Sequence, residues 1–263
     1  MSSTGDPYAE VIFPEYYEDI FSEEDVAFRY RLIRSHIHPK LRVLLAGCLD
    51  KVSKVLETDP FTFSKMRREP KTFDGDEKKI KCALYGLKPN EVRGKGFPNL
   101  VSSSGRPRTA AEFDLSFFAD HDGLGLELHI TRNAELAVLD EVYDDYRDRI
   151  DALLTSIRLG VDGPTGSRLL SLKTAIGRVR DAGDPWIAIF EPRYPFPIAA
   201  STFMGRFEDC FLSLYVIYDA MLSRALGIED KFPQQFDLLE GHFGASGQAD
   251  DSDPEFGSDE FTL

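Results

Sequence analysis

The sequence is poor in cysteine, poor in positive charge and without a long apolar run. Its three cysteines, Cys48, Cys82 and Cys210, lie far apart. An odd count with no CxxC pair argues against a disulfide framework or a zinc site, and Cys48 and Cys210 fall on apolar helix faces. No stretch of about 18 apolar residues occurs, so no membrane span is expected. The opening MSSTGDPYAEV has neither a basic end nor an apolar run and does not read as a secretory signal. A reducing, cytoplasmic compartment is the expectation. Lys and Arg number 31 against 45 Asp and Glu, for a formal charge of −14 over 263 residues. Such a surface repels nucleic acid and acidic membranes on average, and it suits a cytoplasm of high salt. Signature motifs are lacking as well. Gly94-Lys95-Gly96 falls short of a phosphate loop, and Ser102-Ser103-Ser104-Gly105 is no nucleophile elbow. No cofactor is expected, and no internal repeat or heptad array is found.

What is present begins with one hairpin, residues 112–131, EFDLSFFADHDGLGLELHIT. Phe113, Leu115 and Phe117 alternate with polar residues, and so do Leu124, Leu126, Leu128 and Ile130. A period of two over two successive runs predicts antiparallel strands with one buried face. Asp122-Gly123 predicts a type I′ turn, with His121 facing Leu124, Leu115 opposite Ile130 and Asp114 opposite Thr131.

Helical spacing flanks the hairpin. Ser22-Glu23-Glu24-Asp25 has the form of a capping box for a helix to about Ile37. Pro39 then restarts the chain in a helix through Leu41, Leu44, Leu45, Cys48, Leu49 and Val52, ending near Glu57. Asn133 offers a cap to the cleanest helix, with Leu136, Leu139, Tyr143, Tyr146, Ile150 and Leu153 on one face. Residues 169–176 fit a strand or a short helix. Residues 186–190 read as a strand. Ser201 is a candidate cap for a last helix, which Gly227 stops. These elements predict a single-domain α+β fold, an antiparallel sheet centred on the hairpin with helices packed on it. Residues 1–21 read as a loosely packed lead-in, 22–240 as the domain, and 241–263 as a disordered acidic tail.

The chemistry divides between two places. Residues 61–108 carry twelve Lys and Arg against five Asp and Glu, a local balance of +7 in an acidic chain. Lys65, Arg67, Arg68, Arg106 and Arg108, joined by Arg193, are candidate ligands for phosphate, whose oxygens guanidinium groups pair bidentately. The leading expectation is a non-enzymatic binding protein for a phosphate-bearing ligand or nucleic acid. The polar face of the hairpin carries Asp114, Glu127 and His129. Two carboxylates and an imidazole can hold a divalent metal that activates water, so the alternative is a metal-dependent nuclease. Asp followed by Glu-x-Lys on a hairpin is the pattern of a large nuclease superfamily, and Glu127-Leu128-His129 departs from it at the lysine. His36 and His38 would point about 200° apart on a helix, which disfavours a metal pair. A third reading is a protein-interaction module using the acidic tail or the Tyr143/Tyr146 face.

Arg29–Leu41 (RYRLIRSHIHPKL), Phe63–Arg68 (FSKMRR), the hairpin, and Arg193–Phe196 with the long aromatic helix after it resemble, in order and spacing, the YktB-like family of uncharacterised bacterial proteins over roughly residues 25–222. The resemblance implies an α+β fold with an antiparallel sheet, and no known activity.

Overall fold

The hairpin forms the middle of a larger antiparallel sheet. The structure, a computed structural model, describes residues 8–66, 71–72, 79–87, 113–130, 133–157, 159–162, 171–182 and 187–246. In it, β5 (Asp114–Asp120) and β6 (Gly123–Ile130) are joined on one side by β4 (Lys79–Gly86) and on the other by β8 (Ile187–Tyr194). Strands β2 (Ser64–Met66) and β3 (Lys71–Thr72) both pair with β4, and β7 (Gly160–Asp162) closes the other edge beyond β8. A separate small pair joins β1 (Ile12–Phe13) to β9 (Ile198–Ala199).

Helices cover the apolar face of this sheet. Helix α3 (His38–Val55) packs on β4 and β5, and α6 (Met204–Leu226) packs on β5, β6 and β8. Around α6 lie α3, α4 (Asn133–Ser156) and α7 (Phe232–Ser246), while α5 (Leu172–Ala182) lies against α4. Cys82, Leu84, Leu115, Phe117, Leu126 and Leu128 from the sheet are fully withdrawn from water beneath Leu41, Leu44, Phe207, Phe211 and Leu214. The α+β fold read from periodicity is the fold found.

The hairpin register differs from the expected one by two residues. Asp120 faces Gly123, Leu115 faces Leu128 and Asp114 faces His129. His121 and Asp122 form the turn, and positive φ falls on Gly123 (φ 125°) alone in it. The Asp120 carboxylate accepts the Asp122 backbone N–H at 3.1 Å, a local bond that competes with the type I′ turn. Gly123 is required for a second reason: a Cβ there would stand 2.1 Å from the Tyr194 carbonyl oxygen. A shift of two leaves every side chain on its face, so the fold survives the correction while the cross-strand neighbours change.

Other boundaries move too. Asp25, not Ser22, caps α2 (Val26–Leu32), its carboxylate accepting from Ala27 N and Phe28 N. Pro39 sits in the first turn of α3, the place expected of it, and the chain reaches that helix from α2 without a break, through a π-turn, Ile33–Ile37. Residues 8–21, which include most of α1 (Tyr17–Ser22), are built into the core. Tyr8, Phe13, Tyr17, Ile20 and Phe21 are buried, and the Tyr8 hydroxyl reaches Glu208 at 2.8 Å. Residues 172–182 are helical, and α6 starts at Met204 after a short turn with no side-chain cap. Helix α7 runs to Ser246, past the expected start of the tail, because Phe232, Phe236 and Leu239 recur at helical spacing and bury. The remainder of that tail lies outside the described residues.

Candidate active site

The second face of the sheet is polar yet closed. Alternation places Lys79 and Lys81 of β4, Asp114, Ser116, Phe118 and Asp120 of β5, and Glu127 and His129 of β6 on it. Lys81, Ser116 and Glu127 are 3%, 0% and 5% exposed. The Lys81 ammonium is the hub. Its Nζ stands 2.5 Å from Glu127 Oε1, 3.4 Å from Asp114 Oδ1 and 3.1 Å from His129 Nδ1. Lys79 Nζ holds the same Glu127 carboxylate at 3.0 Å and 3.2 Å.

The charges decide one another's state. Burial pushes the Glu127 carboxyl up, but Lys81, Lys79 and His129 outweigh it and hold it at about 2. Burial pulls the Lys81 ammonium down, and Asp114 and Glu127 more than restore it. For Lys79 burial prevails and the shift is downward. Burial, then Lys81, lowers His129, so its ring is neutral near pH 7. An ammonium has only donors, so His129 Nδ1 accepts from Lys81. Ser116 Oγ, on the same face, is buried with no hydrogen-bond partner.

The hairpin tip forms a second group. Arg193 bonds Asp120 at 3.1–3.2 Å and also pairs with Asp122. Lys79 and Arg193 both lie over the Phe118 ring, 3.7 Å and 5.4 Å from its centroid. Gly125 makes room for that ring, since a Cβ there would meet it at 2.2 Å. Asp120, His121 and Asp122 gather possible ligand atoms within 4.8 Å of one another. Arg193 already serves both carboxylates there.

The sequence-predicted residues separate accordingly. Asp114, Glu127 and His129 come together. Arg67, Arg68, Arg106 and Arg108 lie outside the described residues. Lys65 stands on β2 opposite Tyr85, at the Asp114 end of the sheet, and Arg193 is at the Asp120 end. That is ~20 Å of strand between these two bases. His36 is exposed and His38 buried, so they form no pair. Tyr143 is buried, and Tyr146 stacks on Phe232 and donates to Asp230, so this face is engaged within the chain. Sequence reasoning passed over Lys81 as a site residue. The available signal was Lys79-Ile80-Lys81, whose alternation puts both amines on one strand face. It also passed over Glu191, 1% exposed on the apolar side, which pairs with Arg206 and accepts from Tyr194 and Cys210, each at 3.2 Å.

No protein-family model matches the chain, and no curated protein matches it. No helix among the described residues is long and apolar enough to cross a membrane.

Whether a divalent cation fits rests on the donors. Asp114, Glu127 and His129 are oxygen and nitrogen ligands of the right kind for magnesium or manganese. They already surround a cation, the Lys81 ammonium, which stands in for it. Their spacing is that of an ammonium: Asp114, Glu127 and His129 do not bring their ligand atoms within 4.8 Å of one another, so a dication with its ~2.0–2.3 Å bonds would require these side chains to close in and Lys81 to withdraw.

Proposed function

We propose that this protein is a metal-dependent nuclease, cleaving phosphodiester bonds on the polar face of its sheet. The observation that carries the reading is the convergence of Asp114, Glu127 and His129 on one point, Lys81 Nζ. The lysine that the Glu127-x-His129 sequence lacks reaches Glu127 all the same, supplied by β4 from across β5. A dication held by Asp114, Glu127 and His129 would polarise a phosphoryl oxygen and lower the pKa of a bound water. Lys79 and Lys81 supply positive charge for the phosphate oxygens. His129, neutral, is competent to take a proton, and the orphaned Ser116 hydroxyl has a hydrogen bond to offer within the same face. The three cysteines, free and buried, suit a reducing compartment such as the cytoplasm.

The non-enzymatic reading keeps the phosphate-bearing ligand and drops the cleavage. It has less to stand on, because Lys65 and Arg193 occupy opposite ends of the sheet and Arg193 is spent on Asp120 and Asp122.

The test is incubation of labelled single- and double-stranded DNA and RNA with Mg²⁺, with Mn²⁺ and with chelator. Cleavage that needs the metal and disappears in Asp114→Asn and Glu127→Gln, each checked for folding, is expected. Salt-sensitive binding without cleavage would favour the non-enzymatic reading. Cleavage that persists in both variants would place the chemistry elsewhere.

A further inference from the structure

A second site lies where the chain leaves α3, passes α6 and turns into α7. These three segments enclose a small cleft of about 40 Å³ that opens to solvent. Asp59, Phe63, Tyr215, Asp219, Glu229 and Lys231 line it. Three carboxylates face one ammonium, so the lining favours a cation over an anion.

Two of these groups have unspent capacity. Tyr215 is 2% exposed, and its hydroxyl makes no hydrogen bond within the described residues. The ring is enclosed, and the hydroxyl oxygen is not closed off from solvent but opens on the cleft. One oxygen of Asp219 accepts from Gln235 Nε2 at 2.8 Å, while the other makes no hydrogen bond. Gln235 is itself buried, and its Oε1 has no donor. Asp59 differs: its carboxylate is spent on Phe61 N and Thr62 Oγ1, which fixes the loop. The lining thus holds one pinned, half-free carboxylate and one unpartnered hydroxyl beside an aromatic wall.

We infer that this cleft binds a small primary ammonium, with Asp219 as its anionic partner and Tyr215 as a second hydrogen-bond partner. Three N–H donors on one nitrogen match the free Asp219 oxygen and the Tyr215 oxygen, and a short alkyl chain would lie against Phe63 and Tyr215. A divalent metal is a poorer match, because the carboxylates here do not gather their ligand atoms within 4.8 Å. The site shares no residue with the polar sheet face and stands or falls independently of the nuclease reading.

The experiment titrates the isotope-labelled full chain with ethylammonium chloride and follows the amide signals of Phe63, Tyr215 and Glu229. Ethanol serves as the neutral isostere, and sodium chloride matches the ionic strength. Saturable shifts with ethylammonium alone are expected, weakened at least tenfold in Asp219→Asn, weakened severalfold in Tyr215→Phe and unchanged in Asp114→Asn. Equal shifts with ethanol or sodium chloride, absence of saturation, or wild-type affinity in Tyr215→Phe would overturn the inference. Tyr215→Phe keeps the ring, so the test survives if Asp219→Asn fails to fold.

Discussion

The two faces of the central sheet are both withdrawn from water, by opposite means. On one face Leu115, Phe117, Leu126 and Leu128 are buried under helices, and Phe117 lies 5.5 Å and 6.0 Å from the Phe207 and Phe211 rings. Burial there is stabilising in proportion to area and indifferent to which apolar group meets which. On the other face Lys81, Glu127 and Ser116 are buried just as completely. Each charge there depends on a specific partner, because an ion without one in a low-dielectric site carries its full desolvation penalty. The apolar face is tolerant and the polar face is not. That intolerance makes the polar face the place where the molecule is most open to attack by mutation.

The sharpest way to break the contrast is Lys81→Met. It leaves Glu127 to Lys79 alone and takes the ammonium from Asp114, and unfolding by urea should show a loss of about 3 kcal/mol, the low end for a broken buried pair. Adding Glu127→Leu should recover much of it, because two apolar groups replace a matched pair. If the double variant is as unstable as the single one, the pairing is not what holds this face. On the apolar face Leu128→Ala should cost about 2–5 kcal/mol through the cavity it leaves, with no such rescue by a second substitution.

Acid separates the regions by window. Burial, then Arg42 and Arg34, lowers His38 to about 4, below its ordinary 6.5. A lowered histidine means the unfolded chain takes up the proton first. Stability should therefore fall as pH drops from about 6.5 to about 4, by up to ~1.4 kcal/mol per pH unit. His129, also lowered, adds in the same direction. His38→Gln should flatten part of that slope in urea titrations between pH 4 and 7. Glu127, held at about 2 against an ordinary 4.5, acts lower. Its contribution is whole above about 4.5 and lost as pH falls toward 2, and a transition confined to pH 4–6.5 would contradict its pairing. The smallest effect belongs to neither face. Lys54→Ala removes an exposed pair with Asp50, one turn apart on α3, and should change stability by only about 0.3–0.5 kcal/mol.

Much of the architecture was open to reading because it is written in local periods. The alternation in residues 113–130 determined two strands and which side chains share a face. The spacing of Leu41 to Val52 and of Phe203 to Met221 determined two helices that bury one stripe each. Helix α7 was legible too, in Phe232, Phe236 and Leu239, but the glycine- and acid-rich stretch after it masked the pattern. For the site, the sequence put Asp114, Glu127 and His129 on one polar face, since side-chain direction in a strand depends only on parity.

Tertiary structure decided the rest. A two-residue change of register conserves parity, so no hydrophobic pattern distinguishes Asp114 opposite His129 from Asp114 opposite Thr131. The choice fell to the Asp120–Asp122 bond and to the approach of Tyr194 on Gly123. Lys81 lies 33 residues before Asp114, and only the pairing of β4 with β5 carries its ammonium across to Glu127. Local sequence sets which way a side chain points. Which charge it meets is set by the strand that the fold lays beside it.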